Sequence, residues 1–454
     1  MSAKKLVLIV IDGLTPAMLE DAVERQDVPA LRFLMEQGEY RRAITTFPSL
    51  TPVCLSSLAT GAHPDVHEIP HLVWFHRQEE RLVEYGSSFG AIRAAGTTRA
   101  IRDAVFNMNQ EHLSREAITL FEALEGAGLV TAAVNMVCYR GPVRHAATVP
   151  GVGRPAFGPS RFFYYNLFES DVTGAPLAIR TRARGSVDEY ASVVGRWLVT
   201  RDGFDCLVFY LPDYDFASHA AGPEAAHGAL TRADRAIGSL LEAAGGPDDF
   251  LERYAVLLCS DHGQTRVDSP ARLQDAFTDF RLFRPGDRRG AELAVTASNR
   301  AGMVYRLPEC AVEARDLAVL LDAEPHTVLF REDGSAVARR AGEELRFAPG
   351  PEGWVTSGDE ALLPQPAALE RAWAALGNPN AGELIVSAAP GVEFADLGGR
   401  HHAGGGSHGS LELGDSEIPM ISVGLGPPPA SICDLAPQVL RHFGVRPPVY
   451  ARAA

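Results

Sequence analysis

Short apolar runs rich in β-branched residues alternate along the chain with segments of helical character. The runs that predict strands are Leu6–Ile11, Val130–Val134, Cys206–Leu211 and Ala255–Cys259. The segments that predict helices are Pro29–Gln37, Thr51–Thr60, Ile118–Glu125, Ser186–Val199 and Pro223–Ala244. This alternation predicts an α/β fold whose central, mostly parallel sheet is flanked by helices.

The alternation weakens from about residue 284, where strands and a helix are still indicated but none leads into a chemical motif. The earlier pattern returns with Glu383–Ser387 and Ile418–Leu425, which we expect in the central sheet. We therefore predict a catalytic core formed by residues 1–283 and 379–454. A smaller inserted α+β lobe is predicted over residues 284–378.

Composition narrows the choice of ligand and compartment. A formal net charge of −15 without a Lys/Arg cluster argues against a nucleic-acid polymer. A small anionic substrate stays compatible, because bound metal ions reverse the local charge. Six scattered cysteines without a CxxC pair predict a reducing compartment. The first apolar run is too short for a signal core, and no stretch is long enough for a membrane span, so we expect a cytoplasmic protein.

Acidic and histidine residues follow three of the predicted strands. The residues in these positions are Asp12, Asp213, Asp215, His219, Asp261 and His262, and a Gly-rich loop before the last strand adds His408. Each one alone is compatible with an ordinary turn or helix cap. Open α/β sheets, however, bind ligands beyond the carboxyl ends of their strands. The combination therefore predicts a metal centre at one edge of the sheet.

The types of residue also indicate a chemistry. Carboxylate and imidazole ligands suit Zn²⁺ or Mn²⁺, and two such ions ~4 Å apart can hold the attacking and leaving oxygens of a phosphoryl transfer. Thr51 is the candidate nucleophile, because Pro52 suits a first helical position and so predicts Thr51 as the N-cap. The simpler alternative is a capping hydroxyl without a catalytic role. Ser49 and Thr46 are the other candidate hydroxyls.

Six short motifs then occur in the order that is found in one known family. They are VIDG at Val10–Gly13, FPSLTP at Phe47–Pro52, TGAHPDVH at Thr60–His67, DFASHAAGP at Asp215–Pro223, SDHG at Ser260–Gly263 and GSHGS at Gly406–Ser410. Together they resemble the type I phosphodiesterase/nucleotide pyrophosphatase family of the alkaline phosphatase superfamily, to which phosphonoacetate hydrolase is closely related. The resemblance implies an alkaline-phosphatase-like sandwich, and it does not cover the inserted lobe.

The resemblance also implies two metal sites and a mechanism. The implied ligands are Asp12, Thr51, Asp261 and His262 for the ion that activates the nucleophile, and Asp215, His219 and His408 for the ion that steadies the leaving oxygen. Asp215 is preferred to Asp213 because the family spacing is Asp-x-x-x-His. The implied mechanism is in-line attack by Thr51, a phosphothreonine intermediate and its hydrolysis.

Two departures from the family pattern concern the groups that would hold the phosphoryl oxygens. An amide donor is expected three residues after the nucleophile, where this chain has Cys54, a weak donor. Pro52 has no backbone N–H to offer. We still assign Cys54 as a candidate substrate-binding residue. Arg140 and Arg144 are candidates for the missing donor, the alternative being that both lie on a solvated face.

The leading hypothesis is hydrolysis of phosphodiester or pyrophosphate bonds in a small, nucleotide-like or other organic phosphate. The alternative enzyme is a phosphonate (carbon–phosphorus) or phosphomonoester hydrolase on the same scaffold. A sulfatase or a serine-dependent phosphoglycerate mutase fits the sequence around Thr51 poorly. A non-catalytic binding protein is the hypothesis from another class. Specificity is expected in the polar Leu72–Thr98 segment, predicted to be an irregular surface excursion near the site, and in the lobe.

Overall fold

A computed structural model describes residues 3–149, 151, 153–177 and 186–451. Its strands are β1 (Lys5–Ile11), β2 (Glu39–Ile44), β3 (Val73–His76), β4 (Arg81–Glu84), β5 (Thr131–Val134), β6 (Val143–His145), β7 (Ala156–Gly158), β8 (Arg161–Tyr164), β9 (Phe168–Ser170), β10 (Cys206–Leu211), β11 (Tyr254–Cys259), β12 (Thr265–Arg266), β13 (Ser269–Ala271), β14 (Leu293–Ser298), β15 (Ala301–Arg306), β16 (Thr327–Glu332), β17 (Ser335–Arg340), β18 (Glu343–Gly350), β19 (Gly353–Gly358), β20 (Leu384–Ser387), β21 (Val392–Phe394), β22 (Gly406–Ser407) and β23 (Glu417–Val423).

The α-helices are α1 (Pro16–Glu24), α2 (Pro29–Gln37), α3 (Thr51–Thr60), α4 (Pro64–His67), α5 (Phe89–Ala95), α6 (Thr97–Arg102), α7 (Leu120–Gly126), α8 (Val187–Thr200), α9 (Asp213–Ala221), α10 (His227–Ala243), α11 (Pro247–Arg253), α12 (Ala314–Val319), α13 (Ala368–Gly377), α14 (Leu413–Ser416) and α15 (Leu435–His442). A π-helix spans Asp103–His112, and 3₁₀ turns occur at Pro223–Ala225, Leu273–Phe277, Glu360–Leu362, Ile432–Asp434 and Val449–Ala451.

The central sheet has eight strands in the order β2-β23-β11-β1-β10-β5-β8-β9. Strand β1 pairs in parallel with β10 and β11, and β5 pairs in parallel with β10 and β8. On one side β23 pairs antiparallel with β11 and β2 pairs antiparallel with β23. On the other side β9 pairs antiparallel with β8. This arrangement confirms the predicted α/β fold with a mostly parallel sheet.

Helices cover both faces of this sheet because its strands are apolar on both sides. Along β1, Leu6, Leu8 and Val10 join one hydrophobic core, and Val7, Ile9 and Ile11 join another. The first core includes side chains of α3, α7 and α15, and the second includes side chains of α1, α2, α8 and α10. Each buried side chain of this kind contributes about 1.5–3 kcal/mol. The two cores hold β1, β10 and β11 in register, so their carboxyl ends lie at one edge.

A second sheet has seven antiparallel strands in the order β14-β15-β20-β16-β17-β18-β19. Most of its strands fall in the predicted lobe, but β20 was expected in the central sheet and instead pairs with β15 and β16. That expectation was wrong because an apolar run shows that a strand is buried, not which sheet it joins. The division into residues 1–283, 284–378 and 379–454 stays a prediction.

Several local predictions can be compared with the described residues. Helix α3 begins and ends where predicted, and Gly61 follows it in the left-handed conformation with φ 69°. Helix α7 begins two residues later than predicted, because the Thr119 side chain accepts a hydrogen bond from Glu122 N and so caps it. The Leu72–Thr98 segment is not irregular, since it contains the β3–β4 hairpin and α5. All six cysteines are buried and unpaired. No helix in the described ranges is both long and apolar enough to cross a membrane.

Candidate metal centre

The predicted ligands come together beyond the carboxyl ends of β1, β10 and β11. His262 Nε2 lies 3.3 Å from Asp12 Oδ1 and 3.5 Å from Asp261 Oδ2. Thr51 Oγ1 lies 3.1 Å from the same nitrogen. One ion could therefore contact all four side chains, which are the ones that the family resemblance groups together.

A second group lies against the first. His408 Nε2 is 3.8 Å from Asp215 Oδ1, and His219 Nε2 is 3.3 Å from Asp215 Oδ2. The rings of His262 and His408 stack with their centroids 3.6 Å apart. Potential ligand atoms of Asp215, His262 and His408 all lie within 4.8 Å of one another. His262 thus lies between the two groups, whereas the resemblance assigns it to one of them.

Backbone carbonyl groups orient the three imidazoles. A carbonyl oxygen can only accept a hydrogen bond, so each Nδ1 atom next to one carries the proton and each Nε2 presents its lone pair. Histidine ligands of metals are commonly oriented in this way. The contacts are His219 Nδ1 to Gly406 O at 2.8 Å, His408 Nδ1 to Ser49 O at 2.8 Å and His262 Nδ1 to Gly263 O at 3.0 Å.

The carboxylates of Asp12 and Asp261 each have one oxygen in use and one without a partner. Tyr210 OH donates to Asp12 Oδ2, and the backbone N–H of Gly13 donates to Asp261 Oδ1 over 3.2 Å. Among the described residues, Asp12 Oδ1 and Asp261 Oδ2 have no hydrogen-bond donor, although both atoms are buried. Leaving such an atom unsatisfied costs about 1–3 kcal/mol. The two free oxygens lie beside His262 Nε2, and the donor set fits a divalent cation.

The electrostatics of the cluster also favour a cation. Burial raises the pKa of Asp12 well above its usual value, and the charges of Asp261 and Asp215 add to this. Burial likewise raises the pKa of Asp261. Burial acts in the same direction on Asp215, but the attraction and the hydrogen bond of the adjacent His219 imidazole outweigh it and lower the pKa of Asp215. Three carboxylates are thus crowded in a buried site, where a bound ion would offset their charge.

Thr51 does not cap its helix as predicted. Leu50 is the N-cap, since its carbonyl accepts from Val53 N and Cys54 N at 2.9 Å, and Thr51 is the first helical residue. Its partly exposed side chain is therefore free to line the cavity next to His262. By contrast, Ser49 is buried and donates to Ser410 O over 2.9 Å.

The cavity over the metal centre is lined by other described residues than Thr46, Cys54 and the two candidate arginines. Thr46 is buried, and the Cys54 side chain is completely buried with Sγ 4.0 Å from Pro48 O, so contact of this thiol with substrate stays a prediction. Arg140 is also buried, and it pairs with Glu122 at 3.0 Å. Its guanidinium also donates to backbone carbonyls before α7, so Arg140 lies neither in the cavity nor on the solvated face that was the alternative.

Arg144, the other candidate, is exposed on β6, in agreement with the solvated alternative.

A cavity of about 640 Å³ opens over the cluster. Tyr164, Tyr165 and Phe216 give it an aromatic wall, and the predicted specificity segment contributes residues that include Tyr85. Of the described residues that line it, Arg400 is the only lysine or arginine. No partner of the Arg400 guanidinium is seen within the described ranges. The cavity can therefore accommodate an organic phosphate with an apolar substituent.

Three polar residues of the site were not predicted. The Gln264 amide donates to Asp215, and His402 Nδ1 lies 2.6 Å from Glu393 Oε1 while its ring stacks on His219. Asn299 Nδ2 lies 2.9 Å from His408 Nε2. Gln264 directly follows the SDHG motif and His402 belongs to the Gly-rich loop, so the sequence contained a signal for both. For Asn299 the only signal was a polar pair between two apolar runs.

Comparison with known proteins identifies the family and the fold of this chain. The family described as type I phosphodiesterase/nucleotide pyrophosphatase matches residues 6–411. Phosphonoacetate hydrolase from Sinorhizobium meliloti 1021, in complex with phosphonoformate, is 17% identical with a TM-score of 0.61, and the match covers 98% of this chain and 96% of that one. No curated protein sequence matches significantly.

A second similar structure is murine ectonucleotide pyrophosphatase/phosphodiesterase 5, in an inactive form with a threonine replaced by alanine and in complex with AMP. It is 14% identical with a TM-score of 0.61, and the match again covers 98% of this chain and 96% of that one. The family match spans most of the sequence, and the shared fold covers nearly all of it. The chain therefore belongs to the type I phosphodiesterase/nucleotide pyrophosphatase family of the alkaline phosphatase superfamily and is a hydrolytic enzyme.

Proposed function

We propose that this enzyme hydrolyses phosphodiester or pyrophosphate bonds of a small organic phosphate, with Thr51 as the nucleophile. The observation that carries the proposal is the position of Thr51 Oγ1. This hydroxyl is partly exposed to the cavity, 3.1 Å from His262 Nε2 and beside the unpartnered oxygens of Asp12 and Asp261.

Two divalent ions complete the proposed site, Zn²⁺ being preferred and Mn²⁺ the alternative. The proposed ligands are Asp12, Thr51, Asp261 and His262 for one ion, and Asp215, His219 and His408 for the other. When bound, such ions favour the alkoxide form of a coordinated hydroxyl and stabilise negative charge on phosphoryl and leaving oxygens.

The residues of the chain define the two halves of the reaction. Thr51 Oγ forms a bond to phosphorus as the bond to the leaving oxygen breaks on the opposite side, and phosphothreonine results. In this half the Thr51 hydroxyl releases its proton to solvent and the leaving oxygen takes one up from solvent. Water then attacks phosphorus, and Thr51 leaves with its hydroxyl restored. Because Thr51 is the first residue of α3, the phosphoryl group would lie near the N-terminus of a ten-residue helix, which favours an anion.

The two similar structures support different members of the same reaction class. The murine enzyme binds AMP, and the form that lacks a threonine is inactive, which agrees with a threonine nucleophile and a nucleotide-like substrate here. The Sinorhizobium enzyme binds phosphonoformate. Phosphonate or phosphomonoester hydrolysis is therefore the second candidate. Arg400 favours it, because a single unpaired guanidinium over the site could bind a second anionic group of such a substrate.

The decisive experiment compares bis-p-nitrophenyl phosphate, p-nitrophenyl phosphate and phosphonoacetate as substrates of the metal-loaded enzyme. We expect the diester to be preferred, and Thr51→Ala to abolish turnover. Ser49→Ala is the matched control, since this hydroxyl lies two residues away and is bonded to Ser410 O. Preference for the monoester or the phosphonate would favour the second candidate. Full activity of Thr51→Ala, or of metal-free enzyme, would contradict the proposal.

We also propose that the protein is cytoplasmic. The six unpaired, buried cysteines agree with a reducing compartment. Cell fractionation tests the location, and recovery of the protein from the medium would contradict it.

A further inference from the structure

The tip of one hairpin of the second sheet enters the metal centre. Strands β14 and β15 pair from Leu293 to Arg306, and the last pair, Ser298 with Ala301, leaves a two-residue turn of Asn299 and Arg300. Asn299 has φ 56°, a left-handed conformation that asparagine tolerates better than most residues. The backbone conformation of this turn therefore favours asparagine, whatever its side chain contacts.

Arg300 fixes this tip against the loop that contains His408. Its backbone N–H donates to His408 O over 2.8 Å, and its buried guanidinium pairs with Asp415 Oδ1 at 2.7 Å. Gly409 follows His408 with φ 120°, and a Cβ atom there would lie 3.2 Å from Arg300 N. Glycine thus allows the close approach of the two segments, and the tip has little freedom to move relative to His408.

The Asn299 amide faces the ligand nitrogen of His408. Ser298 Oγ donates to Asn299 Oδ1 over 3.1 Å, which leaves the amide NH₂ to donate to His408 Nε2 at 2.9 Å. Asn299 is 5% exposed and lines the cavity above the carboxylates. The amide is therefore a buried, oriented donor in the lining of the cavity that also contains Thr51.

A conflict arises when His408 Nε2 is used as a ligand. His408 Nδ1 already donates to Ser49 O, so Nε2 has the only lone pair of the ring, and an ion bound there takes it from the Asn299 amide. A buried N–H without an acceptor costs about 1–3 kcal/mol. An anionic oxygen in the cavity would satisfy it, and hydrogen bonds to charged acceptors are stronger than neutral ones.

We propose that Asn299 is a catalytic residue of the hydrolase, whose amide N–H donates to a non-bridging phosphoryl oxygen and to the charge that develops on it. This inference rests on the proposed function. It gives the site an amide donor, whereas Pro52 has no backbone N–H and the thiol of Cys54 is a weak donor. The donor comes from the turn between β14 and β15, so the second sheet contributes a residue to the site.

The test uses Asn299→Gly, which keeps the positive φ and removes the amide, and Asn299→Asp, which keeps the shape and replaces the donor with an anion. We expect kcat for bis-p-nitrophenyl phosphate to fall about 10²-fold in Asn299→Gly, as when one oxyanion donor is lost, and further in Asn299→Asp. Inhibition by inorganic phosphate should weaken in both variants. Metal content, measured by atomic emission, should not change.

The matched control is Asp333→Gly, at the exposed two-residue turn between β16 and β17, where φ is also positive at 49°. It should leave kcat, phosphate inhibition and metal content unchanged. Unchanged kcat and phosphate inhibition in fully metal-loaded Asn299→Gly would overturn the proposal. So would a loss of activity that follows metal loss and is reversed by excess Zn²⁺, because Asn299 would then act only by positioning His408.

Measuring Thr51→Ala beside these variants separates the two proposals. If Thr51→Ala stayed active, the nucleophile assignment would fail, while weaker phosphate inhibition in Asn299→Gly would still support a phosphate-binding amide. If Thr51→Ala were inactive and phosphate inhibition of Asn299→Gly unchanged, only the role of Asn299 would fail.

Discussion

Two buried clusters of charged residues lie on either side of the loop that carries His408, and they are built in opposite ways. On one side Asp12, Asp215 and Asp261 crowd together, and among the described residues no arginine or lysine pairs with them and two of their oxygens have no donor. On the other side Arg300 and Asp415 form an ion pair of 2.7 Å with both side chains 0% exposed.

The two clusters therefore suit different roles, one in binding an ion and the other in holding the structure together. The oxygens of Asp415 also accept from Ser410 N and Thr265 Oγ1, so that little of its hydrogen-bonding capacity is unused. A buried pair with satisfied partners holds a loop in place, and removing one partner is costly. Buried carboxylates with free oxygens instead require a partner that the protein does not itself provide. The first cluster is therefore expected to determine activity and the second to determine stability.

Changes at the carboxylate cluster should have the largest effect on activity. Chelation should abolish hydrolysis, and added Zn²⁺ should restore it. Asp261→Asn should also abolish hydrolysis, yet raise the unfolding free energy of the metal-free protein by about 1 kcal/mol, since it removes one of the crowded charges. Urea unfolding of both metal-free proteins checks this. A metal-free Asp261→Asn protein clearly less stable than the unaltered chain would show that the cluster is structural.

Breaking the ion pair should have the largest effect on stability. Asp415→Ala leaves the buried Arg300 charge unpaired and should lower the unfolding free energy by about 3–5 kcal/mol. The control is Arg32→Met, which breaks the exposed pair with Glu36 on α2 and should cost about 0.3–0.5 kcal/mol. Similar midpoint shifts of the two variants in urea would remove the distinction between the clusters.

The unfolding free energy should also depend on pH, through a buried histidine outside the metal centre. Burial lowers the pKa of His67 to about 3, and its Nε2 lies 3.1 Å from Ser57 Oγ. An unfolded histidine has a pKa near about 6.5, so this contribution to stability is complete above that pH and is lost as pH falls toward 3. The expected slope is about 1.4 kcal/mol per pH unit. His67→Gln should show a shallower decline of unfolding free energy between pH 6 and 4, and equal slopes would contradict the assignment.

Arg400 should have the smallest effect. Its exposed guanidinium lies at the cavity in high dielectric, so Arg400→Gln should raise KM for an anionic substrate only a few-fold, corresponding to less than about 1 kcal/mol. The effect should decrease between low salt and about 1 M salt, where the screening length is ~3 Å. Arg25→Gln, at an exposed pair on α1, is the control. A salt-independent change would mean that Arg400 acts through the loop conformation.

The parts of this structure that depend on local sequence were predictable. The apolar runs gave β1, β10 and β11, and the residues directly after them gave the carboxylates, because a strand and the turn that follows it are encoded together. The Thr51 cap was misplaced by one residue, since a leucine backbone can close the first turn without a polar side chain. The family resemblance assigned Cys54 as a candidate substrate-binding residue by its place three residues after Thr51, and its side chain packs in the core beneath α3, so that assignment stays a prediction.

Long-range pairing could not be predicted in the same way. The apolar sequence of strand β20 would suit a buried position in either sheet. The sheet that it joins is decided by its partners β15 and β16, which are more than fifty residues away in sequence. The position of Asn299 depends on contact with a residue 109 positions later in the chain. Nothing near Asn299 in sequence encodes that contact, so its role became visible only in three dimensions.

The turn between β14 and β15 also limits which segments of this protein can be exchanged with those of a relative. A chimaera that replaced the whole second sheet with that of a relative would keep all seven proposed ligands but lose the Asn299 amide and the anchor at Arg300. Segment exchange should therefore preserve Ser298–Ala301 and place its junctions near exposed turns such as the one at Asp333. Loop grafts within β16–β19 should leave the site intact, since the described residues that line its cavity do not come from these strands.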